Sequence, residues 1–167
     1  MAALVKITLD DLRVRQALQT TLGRARDLRP ALRAIGQAGV AQTRKRFISK
    51  RAPDGSTWKK TAKPSGETMI DKGLLLRSIS ARAPEADSVS WGSNRIYAAQ
   101  RQFGGEIRPV RAKALRFRIG GNGEWISVGK ITQPARPYLG VNADDQAEFA
   151  AILLRHLGEP LADGGGA

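Results

Sequence analysis

The sequence predicts an α+β fold, with a mostly antiparallel sheet and a β-hairpin packed against N-terminal helices and one C-terminal helix. Apolar residues recur at helical spacing near both ends of the chain, and alternating residues mark short strands between them. A glycine-rich turn joins two of these strands. The chain has 167 residues, 41% of them hydrophobic, which is enough for one domain with its own core. We therefore expect a single domain over residues 1–158.

Two helices are predicted in the first part of the chain. Thr8 is placed to cap a helix over about 9–25. Asp27 or Arg29 then caps a second helix, which tolerates a proline in its first turn and runs to about Lys50.

The second predicted helix has one apolar face, because its apolar residues fall within a broad arc at helical spacing. These residues are Leu28, Leu32, Ile35, Gly39, Val40 and Phe47. Gly36 and Gly39 lower the intrinsic stability of the helix. We expect these small residues to let another helix approach closely.

The middle of the chain predicts a long loop and several short elements. Residues 52–72 are rich in Pro, Gly, Ser, Thr and Lys, and a loop of this length is uncommon unless it is functional or disordered. A helical turn is expected at 72–77, strands at 78–82 and 88–92, and a short helix at 96–103 that stops at two glycines.

The clearest strand signal lies in the second half of the chain. Residues 114–119 alternate apolar and basic side chains, and a glycine-rich turn connects them to a partner strand at 124–128. Asn142 is then placed to cap the last helix, which carries Asp145 three residues on. Residues 159–167 contain proline and three glycines, so we expect a disordered tail.

Composition and charge limit the classes of function. The net charge is +13 and the isoelectric point is about 11.0, so acidic partners are attracted. The chain has no Cys and a single His, His156, which argues against a zinc site and against a catalytic serine or cysteine. We therefore predict no catalytic residue, no cofactor and no metal site. No secretory leader and no apolar run of bilayer length are apparent, so we expect no membrane association and a cytosol-like compartment.

A basic stretch between residues 44 and 63 has two possible explanations. Its eight basic residues are Arg44, Lys45, Arg46, Lys50, Arg51, Lys59, Lys60 and Lys63. The same stretch contains a single acid, Asp54, and one tryptophan, Trp58. A solvated helix end explains part of this charge. The alternative function is non-specific nucleic-acid binding by phosphate neutralisation. The low aromatic content of 5% argues against a dedicated single-strand platform.

Four stretches together resemble a known family. They are Arg46-Phe47 followed by the segment 52–58, the segment 72–79, the segment 91–105 with its Gln-Phe-Gly-Gly, and the segment 134–140 with its Pro-Ala-Arg-Pro. In this order they resemble the phage virion morphogenesis, or tail completion, proteins of Mu-like and related tailed phages. The resemblance covers roughly residues 44–140, and we refer to these segments as the four motif stretches. Arg101 stands where the family often has His, and Lys72-Gly73 replaces the usual Thr-Gly.

The resemblance implies a structural protein of the virion with no enzymatic activity and no cofactor. It implies a ring of copies of this chain in the tail or neck, in contact with other phage tail or neck proteins and assembled in the host cytoplasm. In that setting the net positive charge also allows a non-specific contact with DNA.

Partner contacts are predicted within and beside the basic stretch. In one reading Trp58 folds back over the core; in the other, the loop 51–72 reaches a neighbouring subunit with Trp58 as its anchor. The segment 134–140 is expected mainly to stiffen the entry to the last helix, but its Arg136 suits a carboxylate across a subunit boundary. The acidic start of the last helix, with Asp144, Asp145 and Glu148, is a possible complement to the basic stretch. The predicted contact residues are Arg44, Lys45, Arg46, Arg51, Trp58, Lys59, Lys60 and Arg136.

Overall fold

Helices and short antiparallel strands alternate along the chain, which confirms the predicted α+β class. The computed structural model describes residues 11–59, 69–70, 72–118 and 123–162. The elements within them are α1 (Asp11–Arg26), α2 (Arg29–Ser49), α3 (Leu74–Arg77), β1 (Ser80–Ala81), β2 (Trp91–Gly92), α4 (Ala98–Phe103), β3 (Gly105–Ile107), β4 (Leu115–Arg118), β5 (Trp125–Val128), β6 (Ile131–Gln133) and α5 (Ala143–Ala162). No helix in this part of the chain is long and apolar enough to cross a bilayer.

The strands form separate two-stranded antiparallel sheets, β1 with β2, β3 with β6, and β4 with β5. The predicted hairpin is confirmed, with Leu115 opposite Val128 and Arg118 opposite Trp125. One continuous sheet was expected and does not form among the described residues. The strands are two to four residues long, so each offers few ladder bonds to a further neighbour.

α2 packs against both α5 and the β1–β2 sheet. A Cβ built on Gly36 would lie 2.8 Å from Val89 Cγ2, and one built on Gly39 would lie 2.6 Å from the Trp91 ring. The two glycines therefore allow close packing of Val89 and of Trp91 in β2. The sequence predicted another helix at this place. Gly39 and Phe47 are buried as expected, but Ala31, Gly36, Thr43 and Arg46 complete the buried face of α2.

The start of α2 differs in detail from the prediction. Its N-cap is Leu28, which makes no side-chain capping bond, and a proline occupies the first turn as expected. Asp27 still contributes, because its Oδ1 accepts a hydrogen bond from the Arg29 backbone N–H at 3.2 Å. Thr8, the predicted cap of α1, lies outside the described residues.

α5 begins as predicted and ends later than predicted. Asn142 Oδ1 accepts from the Asp145 N–H at 2.8 Å, and Asp145 Oδ2 accepts from the Asn142 N–H at 3.0 Å, which is a reciprocal capping arrangement. The helix continues to Ala162, so residues 159–162 of the predicted tail are helical, and the rest of that segment lies outside the described residues. A proline at position 160 has no N–H for the His156 carbonyl, but Arg24 Nη1 of α1 donates to that carbonyl at 3.1 Å.

Candidate assembly surfaces

The four motif stretches meet in one apolar cluster. Its largest members are Phe47, Trp58, Leu75, Ile79 and Tyr138, all less than 5% exposed. Each motif stretch supplies at least one member, since Ala98 of α4 completes the cluster. Residues distant in sequence therefore build the core that positions every loop described below.

Trp58 packs inside this cluster. Its ring meets Phe47 edge to face at a centroid distance of 5.7 Å, and its Nε1–H donates to the Pro137 carbonyl at 2.9 Å. Only 4% of Trp58 is exposed. The buried position agrees with the reading in which Trp58 folds back over the core, and it leaves little of the side chain for a neighbouring subunit.

The Pro-Asp-Gly turn before Trp58 is closed by short-range hydrogen bonds. Asp54 Oδ1 accepts from the Ser56 N–H at 2.9 Å and from the Ser56 hydroxyl at 2.7 Å, and the hydroxyl bond is the main reason why the pKa of Asp54 is lowered. Gly55 has φ +82°, which favours glycine. The Trp58 N–H then donates to the Lys50 carbonyl at 3.0 Å. The part of the predicted docking loop up to residue 59 is therefore a folded turn, while Lys60 and residues 61–68 lie outside the described part of the chain.

Arg46 is also internal. It is 7% exposed, its Nη1 donates to the carbonyls of Tyr138 at 3.2 Å and Gly140 at 2.7 Å, and its Nη2 pairs with Asp145. Asp145 is itself 3% exposed. One pair between the basic stretch and the acidic start of the last helix, Arg46 with Asp145, thus forms within the subunit, while Asp144 and Glu148 remain exposed. A buried ion pair with these additional hydrogen bonds links α2 to the start of α5.

Arg136 lies in the interior as well, at 2% exposure. Its Nε–H donates to the Lys59 carbonyl at 3.0 Å, and its backbone N–H donates to the Arg101 carbonyl at 2.9 Å. Burial lowers the pKa of Arg136, and the neighbouring Arg101 charge lowers it further. Arg136 therefore fastens the chain just after Trp58, and its burial leaves little of the side chain for the predicted bond to a partner's carboxylate.

Gln102 is a structural residue that sequence reasoning missed. Its Oε1 accepts from the N–H groups of Tyr138 at 2.9 Å and Leu139 at 3.0 Å, and its Nε2 donates to the Leu139 carbonyl at 2.9 Å. The Gln-Phe-Gly-Gly segment thus holds the Pro-Ala-Arg-Pro segment by its backbone. Gly104 follows with φ +70°, and a Cβ there would lie 2.5 Å from the Ala135 nitrogen. The signal available in sequence was a polar residue two positions before a helix-ending glycine pair.

Four predicted contact residues remain on the surface: Arg44, Lys45, Arg51 and Lys59. We call this set the basic surface. Arg44 and Arg51 each donate one hydrogen bond to a nearby carbonyl, of Ile79 at 2.9 Å and of Gly55 at 3.3 Å. In the described part of the chain, no carboxylate neutralises any of the four side chains, so the surface can accept an acidic partner.

A second exposed surface lies on α1 and was not predicted. Val14, Leu18 and Leu22 recur every four residues and are 43%, 58% and 57% exposed. This spacing places the three side chains in one row along the helix, which we call the α1 stripe. Large apolar side chains in a continuous row are a typical feature of protein interaction surfaces. Their spacing was readable from the sequence, but a row of this kind is equally typical of a helix that faces its own core.

Comparison with known proteins gives one match. A model of the phage virion morphogenesis family matches residues 9–158 of the chain. Neither a curated protein nor a solved structure matches it. Among the described residues, no group of three or more His, Cys, Asp or Glu side chains is placed to hold a metal ion.

Proposed function

This chain belongs to the phage virion morphogenesis family, and from that membership we propose that it is a tail completion or neck subunit that closes into a ring. The family indicates a structural role in virion assembly, as a component of the virion in contact with other phage structural proteins. The ring, its place at the head-proximal end of the tail, and assembly in the host cytoplasm are parts of the proposal.

The observation that supports this proposal best is the α1 stripe. Val14, Leu18 and Leu22 expose between 43% and 58% of their surface although α1 packs along α5. Covering such side chains on assembly is favourable by about 25 cal/mol for each Å² of apolar surface removed from water. We therefore place the stripe at the centre of the contact between neighbouring subunits.

The basic surface is a further exposed patch, and its complement would be acidic, such as exposed Asp144 and Glu148 at the start of α5. A ring built from one kind of subunit needs two different, complementary patches on each copy, because the contacts run head to tail. Arg44, Lys45, Arg51 and Lys59 are exposed within or just after the C-terminal part of α2, at the opposite end from the turn that follows α1. Lys60, which follows in sequence, belongs to the same proposal. Buried Arg46, Trp58 and Arg136 would then support the surface from within rather than contact the partner.

A substitution in the stripe tests the proposal. Leu18→Glu puts a charge in the middle of the row, and burying an unpaired carboxylate is costly. We expect the variant to fold with a melting temperature near that of the wild type, because the position is 58% exposed. We expect it to lose self-association, measured by sedimentation velocity over a range of concentrations, and to lose incorporation into tails that lack this protein.

Leu12→Glu is the matched control. Leu12 lies on the same helix, is 72% exposed, and is displaced from the stripe by the helical repeat. The control should assemble like the wild type. The proposal fails if Leu18→Glu and Leu12→Glu assemble equally well, or if the wild-type chain remains monomeric and ignores the tails.

A further inference from the structure

The hairpin formed by β4 and β5 carries a second basic surface, away from the one that the sequence indicated. Its strands pair only with each other among the described residues. Leu115, Phe117, Ile126 and Val128 are half-buried on one face. The other face is exposed and consists of Arg116, Arg118, Trp125 and Ser127, which we call the hairpin outer face. We propose that the hairpin outer face binds the phosphate backbone of duplex DNA without regard to sequence.

The strand register brings two arginines to one exposed tryptophan. Arg118 lies directly opposite Trp125, and Arg116 lies opposite Ser127 on the same face. The Cζ atoms of Arg118 and Arg116 lie 4.8 Å and 5.6 Å from the centroid of the Trp125 ring. These are cation–π distances, so the ring holds both guanidinium groups in place. A guanidinium that is already held loses less freedom when its N–H groups bind an oxyanion.

Neither arginine is neutralised within the described part of the chain, where Arg116 and Arg118 form no ion pair. A cluster on the neighbouring β3–β6 sheet differs in this respect. There Glu106 binds Arg108 at 2.7 Å and Lys130 at 2.8 Å. Two adjacent positive charges without a counter-ion favour an anionic ligand, and the overall charge of +13 attracts a polyanion over a longer range.

The geometry favours duplex DNA over a single strand. A single-strand platform needs an aromatic face free for base stacking, but two guanidinium groups lie over the Trp125 ring. A two-stranded β-ribbon is one of the elements that fit the major groove of duplex DNA. With two arginines and no donor set arranged for base edges, the contact neutralises phosphates and reads no sequence.

The test is fluorescence anisotropy of a labelled random-sequence duplex across a series of salt concentrations. We expect Arg116→Gln with Arg118→Gln to weaken binding about tenfold or more at low salt. The slope of log affinity against log salt should fall by about 1.8, because each lost phosphate contact removes about 0.9. Lys45→Gln with Lys59→Gln removes the same charge from the basic surface and should leave most of the affinity.

Further variants separate charge from a fold defect. Arg116→Lys with Arg118→Lys keeps both charges but not the planar groups, so the salt slope should remain while the affinity falls a few-fold. Thermal melts followed by circular dichroism check that each variant is folded. The proposal is overturned if the glutamine pair binds DNA like the wild type, or if the Lys45 and Lys59 control loses as much. It is also overturned if polyglutamate displaces the duplex as well as unlabelled DNA does, since the ligand would then be an acidic protein surface. None of these outcomes depends on ring formation.

Discussion

The motif core and α1 use their apolar residues in opposite ways. The cluster around Tyr138 buries one or more large or small apolar side chains from each motif stretch almost completely, and Arg46, Gln102 and Arg136 satisfy neighbouring backbone groups. In α1, none of the described side chains of residues 12–26 is buried. The residues that make this sequence resemble its family therefore build the subunit. The row of exposed apolar side chains on α1 lies outside the motifs, while Ile96 and Phe103 are exposed apolar residues within them.

The difference between the buried motif core and exposed α1 is tested most sharply by making the same substitution in both regions. Leu75 is 4% exposed in the motif core, and Leu22 is 57% exposed on the α1 stripe. Leu75→Ala should lower the free energy of unfolding by about 2 to 5 kcal/mol, because it removes buried atoms and leaves a cavity. Leu22→Ala should lower it by less than about 1 kcal/mol. Urea unfolding curves of the two variants measure both values, and equal losses would refute the distinction.

A smaller effect is expected at the hydrogen-bond clamp of the core. Gln102→Ala leaves the N–H groups of Tyr138 and Leu139 without their acceptor. Each unsatisfied buried group costs about 1 to 3 kcal/mol, less where water can reach it. We expect a loss of about 1 to 3 kcal/mol in urea unfolding. Gln100→Ala, two residues earlier on the same helix, is the control and should cost less; the reverse order would remove Gln102 from its assigned role.

The smallest effect concerns the junction between α1 and α2. The hydrogen bond from Arg29 is the main cause that lowers the pKa of Asp27 below its ordinary value of 3.8. The folded form therefore gains stability from Asp27 above pH 3.8, and this gain is lost as the pH falls through the lowered pKa. The effect is small because the pair is exposed. An NMR titration of the Asp27 carboxyl should give a value below 3.8 that returns toward it in Arg29→Gln, and an unshifted wild-type value would contradict the assignment.

The sequence predicted the secondary-structure elements well, but it predicted poorly which side chains are exposed and free to contact a partner. Periodicity located the helices and the hairpin, because such patterns report which face of an element meets apolar surroundings. It did not separate Arg46, which is buried against Asp145, from Arg44 and Lys45 beside it, because the difference depends on contacts with residues about a hundred positions away. For the same reason, the sequence could not decide whether Trp58 packs in the core or contacts a neighbouring subunit.

The α1 stripe received no role from the sequence. Its spacing is that of a core-facing helix, and only the structure reveals that α5 covers a different side of α1. The contact of two arginines with Trp125 on the hairpin could not be predicted either. Alternation assigns residues to one face of each strand, but the pairing of residues between the strands requires the register.

The most direct test of the account is hydrogen exchange of the subunit, free and after incorporation into tails that lack this protein. The account predicts that the Ala52 and Trp58 amides, which donate to the Ser56 and Lys50 carbonyls, are already protected in the free subunit and change little. It predicts new protection in α1 on incorporation. Fast exchange at Ala52 and Trp58 in the free subunit, with protection gained there and none in α1 on assembly, would contradict it and restore the loop as the docking element.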